Sequence, residues 1–168
     1  MMSPRLWAAV AISLATPAVS QDIESAISLS ASSPDMLMRA AVAACMAHQE
    51  DLTKSIDAFS EAGWGSDTDD GGLTTLFQDE VVVFINPDIP LCRIESSVLG
   101  FAEAGAIASD LVVLAHGGTA TEQTDDDGCP YVISSNDEED WLSISTGGSD
   151  PSCAEVSGAG VAITVING

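Results

Sequence analysis

Acidic side chains are the most numerous groups of this chain that could do chemistry, and one stretch spaces them as a cation site would. Asp67, Asp69 and Asp70 precede a pair of glycines, as the first ligands of a calcium-binding EF-hand loop precede its invariant glycine. Such a loop also requires an oxygen ligand at position 5 and a glutamate at position 12, where this chain has Gly71 and Gln78. The pattern therefore favours solvated turns, with a weak calcium site at Asp67, Asp69 and Asp70 as the alternative.

Other acidic and aromatic residues point to no particular substrate. Residues 123–128 lack a glutamate at position 12 of the calcium pattern, and residues 137–140 have no fixed ligand spacing. Paired carboxylates can hydrolyse glycosides, but among 26 aspartates and glutamates some close pair is inevitable. Trp64 and Trp141 could stack on a sugar, although core or edge positions in the fold explain both more simply. A carboxylate-dependent hydrolase stays an alternative that no specific pair of residues supports.

The histidines and the possible nucleophiles of the sequence complete no catalytic motif. His48 lies on the apolar side of a predicted helix, where a hydrogen-bonded core histidine is the more common arrangement. His116 precedes two glycines, but the oxyanion loop that such a sequence forms in lipases requires a G-x-S-x-G motif, which this sequence lacks. The sequence also has no H-E-x-x-H, Walker A or G-x-G-x-x-G motif. We therefore predict no catalytic residues and no cofactor, and favour a protein that is not an enzyme.

The four cysteines predict structural disulfides. Their separations include no C-x-x-C, which argues against a redox site or a zinc site. An even number of cysteines in an exported chain favours disulfides, and four cysteines allow three pairings. We predict Cys45–Cys92 and Cys129–Cys153, because each pair then stays within one half of the chain. Four reduced, buried cysteines are the alternative.

The expectation of export comes from the first twenty residues, which have the three parts of a secretory signal peptide. Arg5 lies in the n-region, residues 6–15 form an apolar run of ten, and small residues precede Gln21. That run is too short for a transmembrane helix, which needs roughly 20 residues. We expect cleavage between Ser20 and Gln21, a periplasmic or secreted product, and no membrane insertion afterwards.

Two helical stretches must position any site. Ser33 is a favourable N-cap before Pro34, and apolar residues follow at spacings of three and four as far as Phe59. Gly63 predicts the end of this helix, and a break near Asp51, with Asp51 capping a shorter helix, is the alternative. A second helix is predicted from Ser96 or Ser97 to about residue 115. The preceding residues 21–33, rich in serine and alanine, predict a weakly ordered lead-in.

The rest of the chain predicts strands. Their apolar and β-branched runs cover residues 74–78, 80–85, 91–95, 131–133, 141–144 and 161–166. No internal repeat is visible at any solenoid period. We predict one α+β domain over residues 34–168, an antiparallel sheet with two or three helices on one face, stabilised by disulfides.

The net charge restricts the classes of molecule that this chain is expected to bind. The formal net charge is −22 with only four lysines and arginines, which argues against nucleic acid and against anionic lipid surfaces. The sequence favours an exported, non-catalytic domain that binds another protein or belongs to an envelope assembly. A sharper form is an acidic inhibitor of a basic exported enzyme, because opposite charge accelerates encounter.

Overall fold

The computed structural model describes residues 23–126, 128–148, Cys153 and 160–166, with only the backbone of residues 137–139. The described residues form three helices and one antiparallel sheet of eight strands, which confirms the predicted α+β class and antiparallel sheet, although six strands were predicted. The helices are α1 (Pro34–Ala47), α2 (Leu52–Glu61) and α3 (Phe101–His116). The strands are β1 (Gly65–Thr68), β2 (Thr74–Gln78), β3 (Val81–Asn86), β4 (Leu91–Ser96), β5 (Ala120–Thr124), β6 (Pro130–Ser134), β7 (Asp137–Thr146) and β8 (Val161–Ile166). No helix in these ranges is both long and apolar enough to cross a membrane.

The start of α1 is the predicted one. Ser33 is the N-cap in extended conformation, and Pro34 opens the helix. A hydrogen bond from the Ser33 side chain lowers the pKa of Asp35 in the first turn. The helix then ends at Ala47, and α2 begins after its own N-cap, Asp51. The structure therefore confirms the alternative with a break near Asp51, and the two helices are not one continuous helix.

Small side chains let α1 lie close to the sheet. Its central segment, residues 40–45, consists of alanines, one valine and one cysteine, and all six are buried. The helix contacts β3, β4, β8 and α3. Cys45 forms a disulfide with Cys92 on β4, with their Cα atoms 6.2 Å apart. The predicted pairing is confirmed, and it links the longest buried helix segment directly to the middle of the sheet.

The main core lies between the helices and one face of the sheet. One cross-strand row on that face contains Leu76, Val83, Ile94, Ile163 and Ile144, all fully or almost fully buried. Helix α3 covers the β5 to β8 half, and α1 and α2 cover the other half. Burial of this face drives formation of the sheet, because alternate residues of each strand point to it.

The strand order reveals an internal repeat that the sequence analysis missed. The order β1-β2-β3-β4-β8-β7-β6-β5 places two four-stranded meanders side by side, each preceded by helix. Gly65 pairs with Phe77 in the first hairpin, and Thr121 pairs with Ile133, 56 positions later, in the corresponding hairpin. The last strands of the two halves, β4 and β8, pair antiparallel at the centre. The halves are thus related by an approximate two-fold axis through the sheet.

The first turn of each meander has the same hydrogen bonds. The amide of Asp69 donates to the carbonyl of Leu73 at 3.1 Å, and the amide of Asp125 donates to that of Cys129 at 3.0 Å. The Asp69 carboxylate accepts from the Leu73 amide, and the Asp125 carboxylate accepts from the Cys129 amide. The repeat lies in backbone pairing and turn geometry, so a search for a sequence period does not detect it.

Three strands and one helix boundary differ from prediction. Strand β7 begins at Asp137, four residues before the predicted start, and β1 and β5 were not predicted as strands. β1 and β5 are the sheet edges, and both consist of small and polar residues, a composition that is also typical of turns. Helix α3 begins after Gly100 rather than after Ser96 or Ser97, although the Ser96 hydroxyl accepts from the amides of Val98 and Leu99 as an N-cap would.

Two apolar residues of the segment before α1 lie in the core. Ile23 and Leu29 are buried against the other apolar residues. The carbonyl of Leu29 accepts a 2.8 Å hydrogen bond from the indole nitrogen of Trp64. Trp64 itself is 5% exposed and packs edge-on against Phe59, with ring centroids 4.8 Å apart. The described lead-in therefore begins within the packed structure.

Candidate binding site on the open face of the sheet

The second face of the sheet, which we name the open face, has no helix of the described residues packed on it. Alternation along β7 places Trp141 and Ser143 there and buries Leu142 and Ile144 under the helices. Apolar side chains on this face are only partly buried in most cases, unlike those of the core. They come from six strands: Phe77, Val82, Phe84, Leu91, Tyr131, Trp141 and Ile166.

Aromatic and aliphatic side chains on the β5 to β8 half of the open face surround a cleft of about 320 Å³. We name it the aromatic cleft, and its lining is Gln123, Asp125, Tyr131, Ile133, Trp141 and Ile166. The rings of Tyr131 and Trp141 have centroids 6.0 Å apart and planes tilted by 52°. Cross-strand pairing brings these residues together, since Trp141 lies between Ile133 and Ile166 on neighbouring strands. The cleft therefore has two aromatic walls and an aliphatic floor.

Polar groups lie at one rim of the aromatic cleft. The Tyr131 hydroxyl donates a 2.8 Å hydrogen bond to the side-chain carbonyl of Gln123, which fixes both side chains. Asp125 is held by the turn, where its carboxylate accepts from the Cys129 amide at 2.8 Å. Cys129 in turn is joined to Cys153 by the second predicted disulfide, with Cα atoms 4.3 Å apart. The rim is thus braced from two sides, and it contributes a negative charge and amide groups.

The basic side chains of the described residues already have acidic partners. Arg39 contacts Asp110 at 3.0 Å, and Lys54 lies 3.7 Å from Asp51. Arg93, on the open face, donates to Glu95 at 2.8 Å and to the carbonyl of Thr146 at 2.8 Å. The Arg93–Glu95 pair lies within β4, with 17% of each side chain exposed, and the hydrogen bond from Arg93 to Thr146 ties β4 to β7 across β8. No lysine or arginine of the described part of the chain lines the aromatic cleft.

The acidic residues considered for calcium lie on β1 and in the turn that follows it. Asp67 lies on β1 opposite Thr75, whereas Asp69 begins the following turn. One carboxylate oxygen of Asp69 accepts from the amides of Gly71 and Leu73 at 2.8 and 3.0 Å, so it stabilises its own turn. The described residues contain no group of three aspartates, glutamates, histidines or cysteines close enough to hold a metal.

The histidines lie at helix ends. His48 is the C-cap of α1, beyond the apolar stripe on which the sequence placed it, and it is half-buried. His116 is the last residue of α3, as predicted, and its carbonyl accepts from the Asn136 side chain. These positions suit helix termination rather than acid–base chemistry.

Sequence reasoning missed the aromatic cleft as a unit. The alternation of Tyr131 with Val132, and of Trp141 with Leu142, indicates that each aromatic residue lies opposite the core. Their meeting depends on the β6–β7 register, which shifts by a bulge between Ile133 and Ser134. No signal in the sequence reports that shift. No protein-family model, curated protein or solved structure matches this chain significantly.

Proposed function

We propose that this chain is an exported, non-catalytic binding protein and that its open face binds a basic protein. The observation that carries the proposal is the aromatic cleft, because partly exposed tyrosine and tryptophan side chains are characteristic centres of protein–protein interfaces. The charge of −22 supplies the sign of the partner. Opposite charge accelerates encounter and suppresses wrong partners, whereas the aromatic residues contribute most of the affinity.

Export is part of this proposal. Two disulfides and the lack of a membrane-crossing helix in the described ranges are compatible with a location outside the cytoplasm. Residues 1–22, which include the predicted cleavage site between Ser20 and Gln21, lie outside the described residues. Intact-mass measurement of the exported protein should give a chain that begins at Gln21. A mass that retains the first twenty residues would contradict this part of the proposal.

The choice of face can be tested with two lysine substitutions that change the net charge equally. Phe77→Lys alters the open face, where Phe77 is 49% exposed, and Val113→Lys alters α3, where Val113 is 36% exposed. Exported proteins captured on the wild-type chain are identified, and the Kd of each purified partner is then measured at two salt concentrations. We expect a basic partner, weaker binding at higher salt, and at least about a tenfold loss of affinity for Phe77→Lys alone.

Three results would refute the proposal: an acidic partner, binding that does not respond to salt, or equal losses for the two lysine variants. Equal losses would show that only total charge matters, or that the helical side binds. An inhibitor of a basic exported enzyme is the sharper form of the proposal. It requires, in addition, that the partner be an enzyme whose activity falls in proportion to the bound fraction.

A further inference from the structure

We infer that the aromatic cleft binds one arginine side chain of the partner; the inference rests on the proposed function and names the group recognised at its centre. The cleft combines two aromatic rings, an aliphatic floor and a carboxylate at the rim, Asp125. A volume of about 320 Å³ suits a single long side chain with its neighbouring backbone.

Arginine matches these walls better than other side chains do. Its planar guanidinium stacks on aromatic faces. It is also more weakly hydrated than an ammonium group, so it loses less hydration free energy when it enters a half-buried cleft. Its methylene groups can lie on Ile133 and Ile166, while its N–H groups face the Asp125 carboxylate and the Gln123 carbonyl, which retains a second lone pair. Lysine offers the same charge without the planar stacking.

The field of the whole molecule favours the same ligand. The described lysines and arginines are each engaged with a carboxylate of this chain, so the excess of acidic groups remains to attract cations from outside. Clefts between low-dielectric walls concentrate such a field. A neutral or anionic group would not gain from it, and an anionic group would be repelled.

The internal repeat provides a comparison that distinguishes specific binding in this cleft from nonspecific binding to the sheet. In the first half, Val82 pairs with Phe77 as Trp141 pairs with Ile133. Thr75 pairs with Asp67 as Tyr131 pairs with Gln123. The corresponding surface of that half therefore has neither wall of the aromatic cleft. Each position in the cleft has a counterpart in the same protein on which a control substitution can be made.

The probes are three capped tripeptides, Ala-X-Ala, in which X is arginine, lysine or citrulline. Citrulline keeps the shape of arginine and has no charge. The full exported chain is labelled with ¹⁵N, and the indole N–H signal of Trp141 is followed in titrations at low salt. We expect saturable shifts with the arginine peptide at millimolar concentration, binding at least about threefold weaker with lysine, and no saturable shift with citrulline.

Two pairs of variants assign the binding to the cleft. Asp125→Asn keeps the acceptor of the Cys129 amide and removes one charge, and Asp69→Asn does the same in the equivalent turn. Tyr131→Leu removes one wall of the cleft, and Phe77→Leu removes an aromatic ring elsewhere on the open face. The Asp125 and Tyr131 variants should weaken arginine binding about five- to tenfold, and the Asp69 and Phe77 variants less than twofold.

The outcomes separate this inference from the function on which it rests. Equal effects of Asp125→Asn and Asp69→Asn, or equal shifts with arginine and citrulline, would overturn the arginine site. If either result accompanies a partner that is lost with Phe77→Lys but not with Val113→Lys, the proposed function stands and the arginine site fails. If arginine binds in the cleft but the two lysine variants bind the partner equally, the open face is not the docking face and the proposed function fails.

Discussion

Two tryptophans of this chain show how much a single residue's role depends on its surroundings. Trp64 is 5% exposed and its indole nitrogen has a buried acceptor, the carbonyl of Leu29. Trp141 is half-buried on the open face and lines the aromatic cleft. The sequence suggested core or edge positions for both; Trp64 lies in the core, whereas Trp141 lies on an inner strand, β7, with its ring on the open face. Neither assignment to a particular tryptophan could be made from neighbours in the sequence, because Leu29 is 35 residues from Trp64.

The Trp64 hydrogen bond makes a prediction for stability. Trp64→Phe should lower the free energy of unfolding by about 2 kcal/mol, because it leaves the Leu29 carbonyl without its donor and opens space beside Phe59. Urea unfolding followed by far-UV circular dichroism measures the difference. A change below about 0.5 kcal/mol would mean that the segment before α1 contributes little to the fold.

Asp35 makes a prediction for pH dependence. The Ser33 hydrogen bond lowers the folded-state pKa of Asp35, so its contribution to stability is full above the unfolded pKa of about 3.9 and is lost as pH falls below it. Asp35 is exposed, so the contribution is small, about 0.5 kcal/mol as for other acids at helix N-termini. Asp35→Asn should therefore be less stable than the wild type at pH 7 and equal to it near pH 2.5. A difference between the two proteins that grows on acidification would contradict this assignment.

At the scale of elements, prediction from the sequence succeeded where burial imposes a pattern. The strands with alternating buried residues, such as β3 and β4, were predicted within one residue of their ends. The edge strands β1 and β5 were missed, because an edge strand with small, exposed side chains has the composition of a turn. The order of the strands could not be predicted either, since pairing between β4 and β8 connects residues about 70 positions apart.

The disulfides make a prediction at this scale. The Cys45–Cys92 bridge closes a loop of 47 residues and Cys129–Cys153 a loop of 24, for which loop-closure entropy gives roughly 4 and 3.5 kcal/mol. Replacing Cys45 and Cys92 by alanine should lower the free energy of unfolding more than replacing Cys129 and Cys153 does. The difference between the two variants should exceed the difference in loop-closure entropy, because Cys45 and Cys92 are buried and their replacement also leaves a void. Chemical denaturation of the two double variants ranks them. The opposite rank would show that β4 is held by packing alone.

At the scale of the whole molecule, 26 acidic residues face four basic ones. Most carboxylates therefore have neighbours of their own sign, and folding brings those charges closer together. The described ion pairs involve only three of the acids, Asp110, Asp51 and Glu95. Self-repulsion thus opposes the folded state, and it is the feature of this protein that composition alone predicts best.

Salt should stabilise the protein. Screening shortens the Debye length from about 8 Å at 0.15 M to about 3 Å at 1 M, which weakens repulsion more in the compact state than in the unfolded chain. The Tm should rise between 0.02 and 0.5 M NaCl, most steeply at the lower concentrations. Sucrose, matched in osmolality, serves as the control for effects on apolar burial. A flat or falling Tm would show that the acidic side chains are already far enough apart.

The two-fold arrangement of the sheet also bears on how such a chain can arise. Two separate subunits, each made of helix followed by a four-stranded meander, would join as a symmetric dimer through their last strands. A two-fold axis pairs the same edge strand of two identical subunits antiparallel. Duplication of the gene for such a subunit, with the copies fused end to end through residues 97–100, produces the order seen here. Once fused, the halves could diverge separately. Val82 and Trp141 stand at equivalent points of the two meanders, and the difference between them marks a specialisation that a homodimer could not have kept to one side.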